Sequence, residues 1–221
     1  AAAALFALAP PTVYYSRYFI QETLLLTFAL ATFLAVRTWW RTGLMRWAIA
    51  AGIGVGLMQA TKASAPLFLA AAAIACALAR PGKFESRRPR RDLAFALIAA
   101  LGTAVLLYSS FFTNLSGARD ALAAYGHAFT RFGGDAAPTG HEKPWWYYLR
   151  LFAGYRDGLL WHQAVLTTLA VVGLVVAFAR REAFLRGVAV YTVLITAVFS
   201  FFAYKTPWHA VHFVPGFAVL A

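Results

Sequence analysis

Four charged residues stand beside long apolar stretches of this 221-residue sequence, and their types could do chemistry: Arg17, Glu22, Lys62 and Lys205. A charge within a membrane segment costs about 2.5–3.5 kcal/mol or more unless it is paired or hydrated. Arginine and lysine donors bind phosphate, and a carboxylate can orient such a cation. The pattern therefore predicts a phosphate site on Arg17, Lys62 and Lys205 with Glu22 in support. The alternative is that these side chains only form interfacial ion pairs or snorkel to the headgroups.

Weaker candidates are two histidines and a polar, aromatic loop. His209 and His212 have i, i+3 spacing, but two histidines make only half of a usual metal site, so no metal is predicted and a divalent ion is left open. The loop residues could contact a sugar or its acceptor, although aromatic residues at a membrane interface would give the same pattern. These loop residues are His141, Glu142, Trp145 and Trp146.

The composition identifies the elements that must position these residues. Hydrophobic residues make up 62% of the chain and charged residues 13%, whereas soluble domains have about 45–50% and about 25%. We therefore expect an all-α, polytopic transmembrane helix bundle. Its single cysteine, Cys76, excludes an intrachain disulfide. About eight apolar runs are predicted, at 1–9, 23–36, 47–60, 64–79, 93–112, 159–179, 187–203 and from about 210 onward.

The basic loops predict the orientation of these runs. The formal charge of +12 is concentrated in the loops 37–46, 80–91 and 180–186, which we expect on the cytoplasmic side, so a nucleic-acid partner is not predicted. Run 47–79 as one helix would be about 50 Å long, too long for one crossing. It is therefore predicted to be a hairpin with Lys62 at its outer tip. Segments 10–22, 113–158 and 204–212 should share that outer face.

The long outer segment and the chain ends complete the prediction. Ser116 can cap an amphipathic helix over 118–132 that lies on the membrane surface. Both ends of the chain are apolar, as if cut inside helices, so 1–221 is expected to be one transmembrane domain and an internal fragment of a longer protein.

Four blocks of the sequence resemble those of a known bacterial and archaeal membrane family. It is the flippase-activity-associated family, related to the dolichyl-phosphate-mannose–protein mannosyltransferases of glycosyltransferase family 39 and to the aminoarabinose transferases, with the GT-C fold. The blocks occur in the family's order across nearly the whole chain. They are Tyr14-Tyr15-Ser16-Arg17-Tyr18-Phe19-Ile20-Gln21-Glu22-Thr23-Leu24-Leu25, Gly56-Leu57-Met58-Gln59-Ala60-Thr61-Lys62, Lys143-Pro144-Trp145-Trp146-Tyr147-Tyr148 and Tyr204-Lys205-Thr206-Pro207-Trp208.

The resemblance implies a glycosyltransferase of the plasma membrane that uses a polyprenyl-phosphate-linked sugar on the non-cytoplasmic face. The donor phosphate would be bound by Arg17, Lys62 and Lys205, supported by Ser16, Glu22, Thr61 and Trp208. Two departures from the family pattern stand out. Ala63 follows Lys62 where the family has glutamate, and the family's catalytic acid would lie upstream of Ala1.

Two other functions fit the same residues. A transporter or flippase for lipid-linked sugars would use the same basic face without covalent chemistry. A non-catalytic membrane scaffold would use the charges only to set its topology. The sugar, the acceptor and any metal requirement are left open by the sequence.

Overall fold

The computed structural model describes residues 1–80, 82–133, 140–154, 163–180 and 182–221. In these ranges the fold is all-helical, as predicted, and its only β pairing is an isolated bridge between Glu142 and Tyr204. The α-helices are α1 (Ala2–Leu8), α2 (Pro10–Tyr15), α3 (Gln21–Thr42), α4 (Met45–Thr61), α5 (Ala65–Ala79), α6 (Pro89–Tyr108), α7 (Gly117–Gly133), α8 (Tyr147–Gly154), α9 (Ala164–Arg180), α10 (Ala183–Phe201) and α11 (Val214–Leu220). A 3₁₀ helix, Pro207–His212, precedes α11.

Helix boundaries follow local chemistry. Proline starts α2 and α6, where the missing N–H of the first turn costs nothing. Glu182 caps α10, since its carboxylate accepts hydrogen bonds from the N–H groups of Phe184 at 3.1 Å and Leu185 at 2.7 Å. The predicted run 93–112 ends early, at Tyr108, because residues 110–112 have φ values of 47°, 58° and 67°, which no right-handed helix can contain.

In the described residues, fewer helices have the length of a membrane crossing than the eight runs that the sequence predicts. Among the described residues, three helices are long and apolar enough to cross a membrane, namely α3, α6 and α10. Two further apolar helices, α5 and α9, are shorter. The predicted terminal runs form α1 and α11, which have 7 residues each. The structure thus supports a membrane protein, and eight crossings are not confirmed.

The chain divides into two compact units. Unit 1 contains 1–23, 67–81 and 130–221, and unit 2 contains 24–66 and 82–129. Three helices, α3, α5 and α7, continue from one unit into the other. Helix α7 matches the surface helix predicted over 118–132 to within one residue at each end. The break between α4 and α5 at 62–64 is where the hairpin tip was predicted.

In unit 2, glycines let three helices approach closely. A Cβ atom built on Gly52 would lie 2.1 Å from the Ala96 carbonyl oxygen, and one on Gly56 would lie 2.6 Å from that of Ala100. This constant offset shows that α4 and α6 run parallel and begin at the same end of the unit. A Cβ atom built on Gly54 would lie 2.2 Å from the Thr32 hydroxyl oxygen, so α3 also approaches α4 closely at this position. The loop before α4 and the loop before α6 therefore lie on one side, as the basic residues predict.

Unit 1 is built around α11. This helix packs against α1, α9 and α10, and its contacts are short because Gly173 and Gly216 leave no room for a side chain. The core between these helices contains Ala170, Ala177, Ala189 and Leu220. The 3₁₀ helix packs on α2, α8 and α11. Unit 1 therefore collects three stretches of the chain around the segment that carries Lys205 and His209.

Candidate functional site

The candidate site in unit 1 begins with a short pairing between two loops. The Lys205 N–H donates to the His141 carbonyl at 2.9 Å, and the Lys143 N–H donates to the Ala203 carbonyl at 3.1 Å. These bonds flank the bridge between Glu142 and Tyr204. Segments 141–143 and 203–205, which are distant in sequence, are thus joined by their backbones. The sequence predicted that both lie on one face.

Lys205 is buried, with 2% of its surface exposed. Its ammonium donates to the carbonyl of Lys143 at 2.8 Å and to the carbonyl of Phe202. In the described part of the chain these carbonyls are its partners, and no carboxylate pairs with it. Burial lowers the pKa of Lys205, because an ammonium loses hydration when it leaves water. Lys205 thus holds the paired loops together and places a positive charge beneath the surface.

Tyr148 ties α8 to the turn after Lys205. Its side chain is completely buried, and its hydroxyl donates to the Thr206 carbonyl at 3.1 Å. Burial raises the pKa of the phenol, so Tyr148 stays protonated. The sequence pattern of Pro144–Tyr148 suggested an aromatic belt at headgroup level. Tyr148 instead belongs to the interior, while Trp145 and Trp146 are exposed.

Glu22 and His209 form the second charged element of the site. His209 Nε2 lies 3.6 Å from Glu22 Oε1, and both side chains are less than a tenth exposed. On the other side of the ring, Nδ1 lies 3.2 Å from both the Tyr148 hydroxyl and Thr206 Oγ1. The imidazole therefore connects a buried carboxylate to two hydroxyl groups. This arrangement places a cluster of polar side chains near the start of α3.

Arg17 and Ser16 lie in the short segment between α2 and α3. Both are exposed, and the Ser16 hydroxyl donates to the Val13 carbonyl at 2.9 Å. On one side of this segment α2 packs against the 3₁₀ helix, and on the other Glu22 faces His209. The segment is therefore anchored at both ends beside the 3₁₀ helix. Arg17 is an exposed cation five residues before the buried carboxylate of Glu22 in the sequence.

Lys62 and Thr61 belong to unit 2. Lys62 follows the last residue of α4 with extended backbone, and its side chain is half-buried. The Thr61 hydroxyl donates to the Leu57 carbonyl at 2.7 Å, as threonines inside helices often do. The structure brings Arg17, Glu22 and Lys205 into one unit. A shared site with Lys62 remains a prediction.

His212 packs among aromatic rings. It is buried, its ring lies 4.7 Å from the Phe68 ring, and it stacks on Phe199 at 6.1 Å. The described residues contain no group of three or more histidine, cysteine or carboxylate side chains that could hold a metal ion. Glu22 and His209 supply two ligand atoms, fewer than the three protein ligands of a usual catalytic zinc site.

The predicted sugar-contacting residues lie in, or just after, one of the two paired loops. The His141 ring lies 5.2 Å from the Tyr204 ring and 6.3 Å from the Trp208 ring. Glu142 is exposed, and 63% of Trp145 and 41% of Trp146 are exposed. Exposed rings beside polar groups can stack on apolar sugar faces. Their role in sugar contact stays a prediction.

Two residues of the site were not singled out from the sequence, Tyr148 and Thr206. Both lie within quoted blocks, yet nothing in their type or spacing distinguishes a buried tyrosine from its exposed neighbours. Comparison of the chain with protein-family models, curated proteins and solved structures gives no match.

Proposed function

We propose that the chain is part of a membrane glycosyltransferase that takes a sugar from a polyprenyl-phosphate donor at the non-cytoplasmic face. One observation carries the proposal. Unit 1 brings together three of the four sequence blocks that suggested it. The contacts are those of Tyr148 with Thr206, of Lys205 with Lys143, and of Glu22 with His209, the residue directly after the fourth block. A chain whose charges served only to set topology would have no reason to bury a carboxylate, an imidazole and an ammonium in one unit.

In this mechanism, Arg17 binds the donor phosphate directly, because it is the exposed cation of unit 1 nearest in sequence to Glu22. Lys205 stabilises the negative charge that develops on the departing polyprenyl phosphate from its buried position. Glu22 and His209 fix the position of the segment that carries Arg17. Trp145 and Trp146 stack on the sugar. No general base is assigned among the residues of this chain.

Donor binding tests the proposal. The protein, purified in detergent, is unfolded thermally with and without polyprenyl-phosphate-linked sugar, and with polyprenyl phosphate alone. A ligand present at 100 times its dissociation constant stabilises the folded state by about 2.7 kcal/mol. We expect this stabilisation in the wild type and in the control variant Arg119→Ala, which also removes one exposed arginine, but from α7. We expect it to be lost in Arg17→Ala, Lys62→Ala and Glu22→Gln.

A transfer assay with labelled donor separates enzyme from transporter. Release of polyprenyl phosphate together with a glycosylated acceptor supports the transferase. Binding without transfer from any donor sugar would leave a transporter for lipid-linked sugars as the better description. Equal stabilisation of the wild type and all three site variants would contradict donor binding by these charges. Their role would then be limited to membrane topology and packing.

A further inference from the structure

A second charged surface lies in unit 2, at the end where α3 finishes and α4 and α6 begin. We call it the basic end and define it as residues 37–46 and 82–92. It contains eight arginine and lysine residues, all exposed. Its two acidic residues are Glu85, which is exposed, and Asp92, which is 1% exposed. The basic end therefore presents a strong excess of positive charge to its surroundings.

The loop that carries most of these cations is fastened to the end of α3. The Trp40 indole N–H donates to the Gly82 carbonyl at 2.9 Å, and the Glu85 N–H donates to the Trp40 carbonyl at 3.1 Å. The Phe84 ring lies 4.9 Å from the Trp39 ring and 4.7 Å from the Trp40 ring. A loop that served only as a charged tether would need none of these contacts.

Asp92 completes the attachment from the side of α6. Its carboxylate accepts hydrogen bonds from Ser86 Oγ at 2.7 Å, from the Trp39 indole at 3.3 Å and from Arg91 Nη2 at 3.2 Å. The buried charge is therefore satisfied by groups from the loop, α3 and its own helix. Because the loop is fixed at Gly82, Phe84, Glu85 and Ser86, the neighbouring cations Arg87 and Arg88 project from an ordered surface.

The position of this surface identifies its partner. Two of the three helices that can cross a membrane, α3 and α6, have their ends here. Arginines and lysines at such ends lie at headgroup level, and each contributes about 1 kcal/mol to attraction by an anionic leaflet. The half-buried indoles of Trp39 and Trp40 suit the same interface. RNA would also be attracted by these charges. Headgroups at the ends of α3 and α6 would, however, already be in contact with them.

We propose that the basic end is a binding surface for anionic phospholipid headgroups, and that its affinity depends on the loop order set by Asp92, Trp39 and Trp40. This binding is separate from the donor site in unit 1. If charge alone attracted the lipid, removing the loop contacts would leave lipid affinity unchanged. If the ordered loop positions the cations, removing those contacts should lower lipid affinity. The two cases can therefore be distinguished by variants that leave every charge in place.

The test titrates short-chain phosphatidylglycerol into the detergent-solubilised protein, with phosphatidylcholine of the same chain length as reference, and follows the unfolding temperature. Arg87→Gln/Arg88→Gln removes two cations and should weaken the phosphatidylglycerol response about fivefold per residue. Ser86→Ala and Trp40→Phe keep all charges and should also weaken it several-fold. Arg119→Gln/Arg150→Gln, two exposed arginines elsewhere, is the control and should respond like wild type.

Each outcome decides the proposal. A weaker response in Ser86→Ala or Trp40→Phe, with the lipid-free unfolding temperature close to wild type, supports an ordered lipid surface. If only the charge-removing variant is weakened, the ordered site is overturned and a diffuse charge effect remains. If phosphatidylcholine stabilises as well as phosphatidylglycerol, or if single-stranded RNA stabilises the protein and phosphatidylglycerol does not, the lipid partner is overturned.

Discussion

His209 faces Glu22 across 3.6 Å inside unit 1, and the two side chains come from the 3₁₀ helix and the first turn of α3. Buried groups in direct contact are energetically coupled, typically by about 0.5–3 kcal/mol. We therefore expect the losses of unfolding free energy in Glu22→Gln and His209→Gln to be non-additive in the double variant. Chemical unfolding in mixed micelles measures the three values.

The matched control is Glu22→Gln combined with Glu182→Gln, since Glu182 bonds to the N–H groups of its own helix. The losses of unfolding free energy in these two single variants should add up to that of their double variant within about 0.5 kcal/mol. Additivity in the Glu22–His209 pair as well would show that the contact contributes nothing to folding.

Tyr148→Phe removes a hydroxyl that satisfies a buried carbonyl. The Thr206 carbonyl and His209 Nδ1 both lose a partner, so we expect the unfolding free energy to fall by about 1–3 kcal/mol. Tyr18→Phe is the control, because Tyr18 is 51% exposed and its hydroxyl meets that of Tyr14. Its effect should stay within about 0.5 kcal/mol. Equal effects of the two variants would contradict a buried role for the Tyr148 hydroxyl.

Lys205 should make stability depend on pH. The pKa of Lys205 in the folded state is lowered from the ordinary 10.5. Between the folded-state pKa and the unfolded-state pKa, the unfolded state binds more protons than the folded state. The free energy of unfolding therefore rises with pH in this window. Below the lowered pKa both states are protonated, and the dependence disappears. Lys205→Met removes this contribution. The unfolding temperature of the wild type relative to Lys205→Met should therefore increase as pH approaches 10.5.

The comparison with Lys205→Met also isolates the lysine from two tyrosines. Burial raises the pKa of Tyr15 and Tyr148, which lowers stability as pH rises above their ordinary value of 10.0. The wild type and Lys205→Met both contain these tyrosines, so their contribution cancels in the difference between the two unfolding temperatures. A flat difference would mean that the carbonyls of Lys143 and Phe202 fully replace the hydration of the ammonium.

Gly52→Ala should loosen the contact between α4 and α6. The new methyl group would lie 2.1 Å from the Ala96 carbonyl oxygen, which is backbone and cannot rotate away. We expect a loss of about 1–3 kcal/mol in unfolding free energy. Gly102→Ala, inside α6 with nothing within 4 Å of the new carbon, should be neutral or stabilising by about 0.5–1 kcal/mol. Similar effects at both positions would argue against the close helix contact.

The helical class, the positions of most helices and the common side of two basic loops could be predicted from the sequence. Hydrophobic run length and loop charge are local quantities, and they sufficed for α3, α4 and α10. The end of α6 could not be predicted this way, because apolar Phe111 and Phe112 continue the run while their backbone turns left-handed. Hydropathy does not report backbone conformation.

The candidate site was predictable only in part. Arg17, Glu22 and Lys205 were found as charges beside apolar runs, but their partners were not. His209 was considered as a metal ligand with His212, and the structure instead sets it between Glu22 and Tyr148. Asp92 meets the same criterion as Glu22, yet it was not selected, because its surroundings resembled an ordinary basic loop. Which residues contact a given side chain depends on the tertiary fold, and this cannot be read from the local pattern of one sequence.

The parallel pairing of α4 and α6 also sets an order of events during synthesis. Since α6 follows α4 by 27 residues in the sequence, residues 62–88 must be synthesised before α6 can meet α4. Until the segment up to Tyr108 has been synthesised, Gly52 and Gly56 cannot be fully covered by α6. Nascent chains halted before α6 should therefore expose this glycine face, whereas chains released after Tyr108 should protect it.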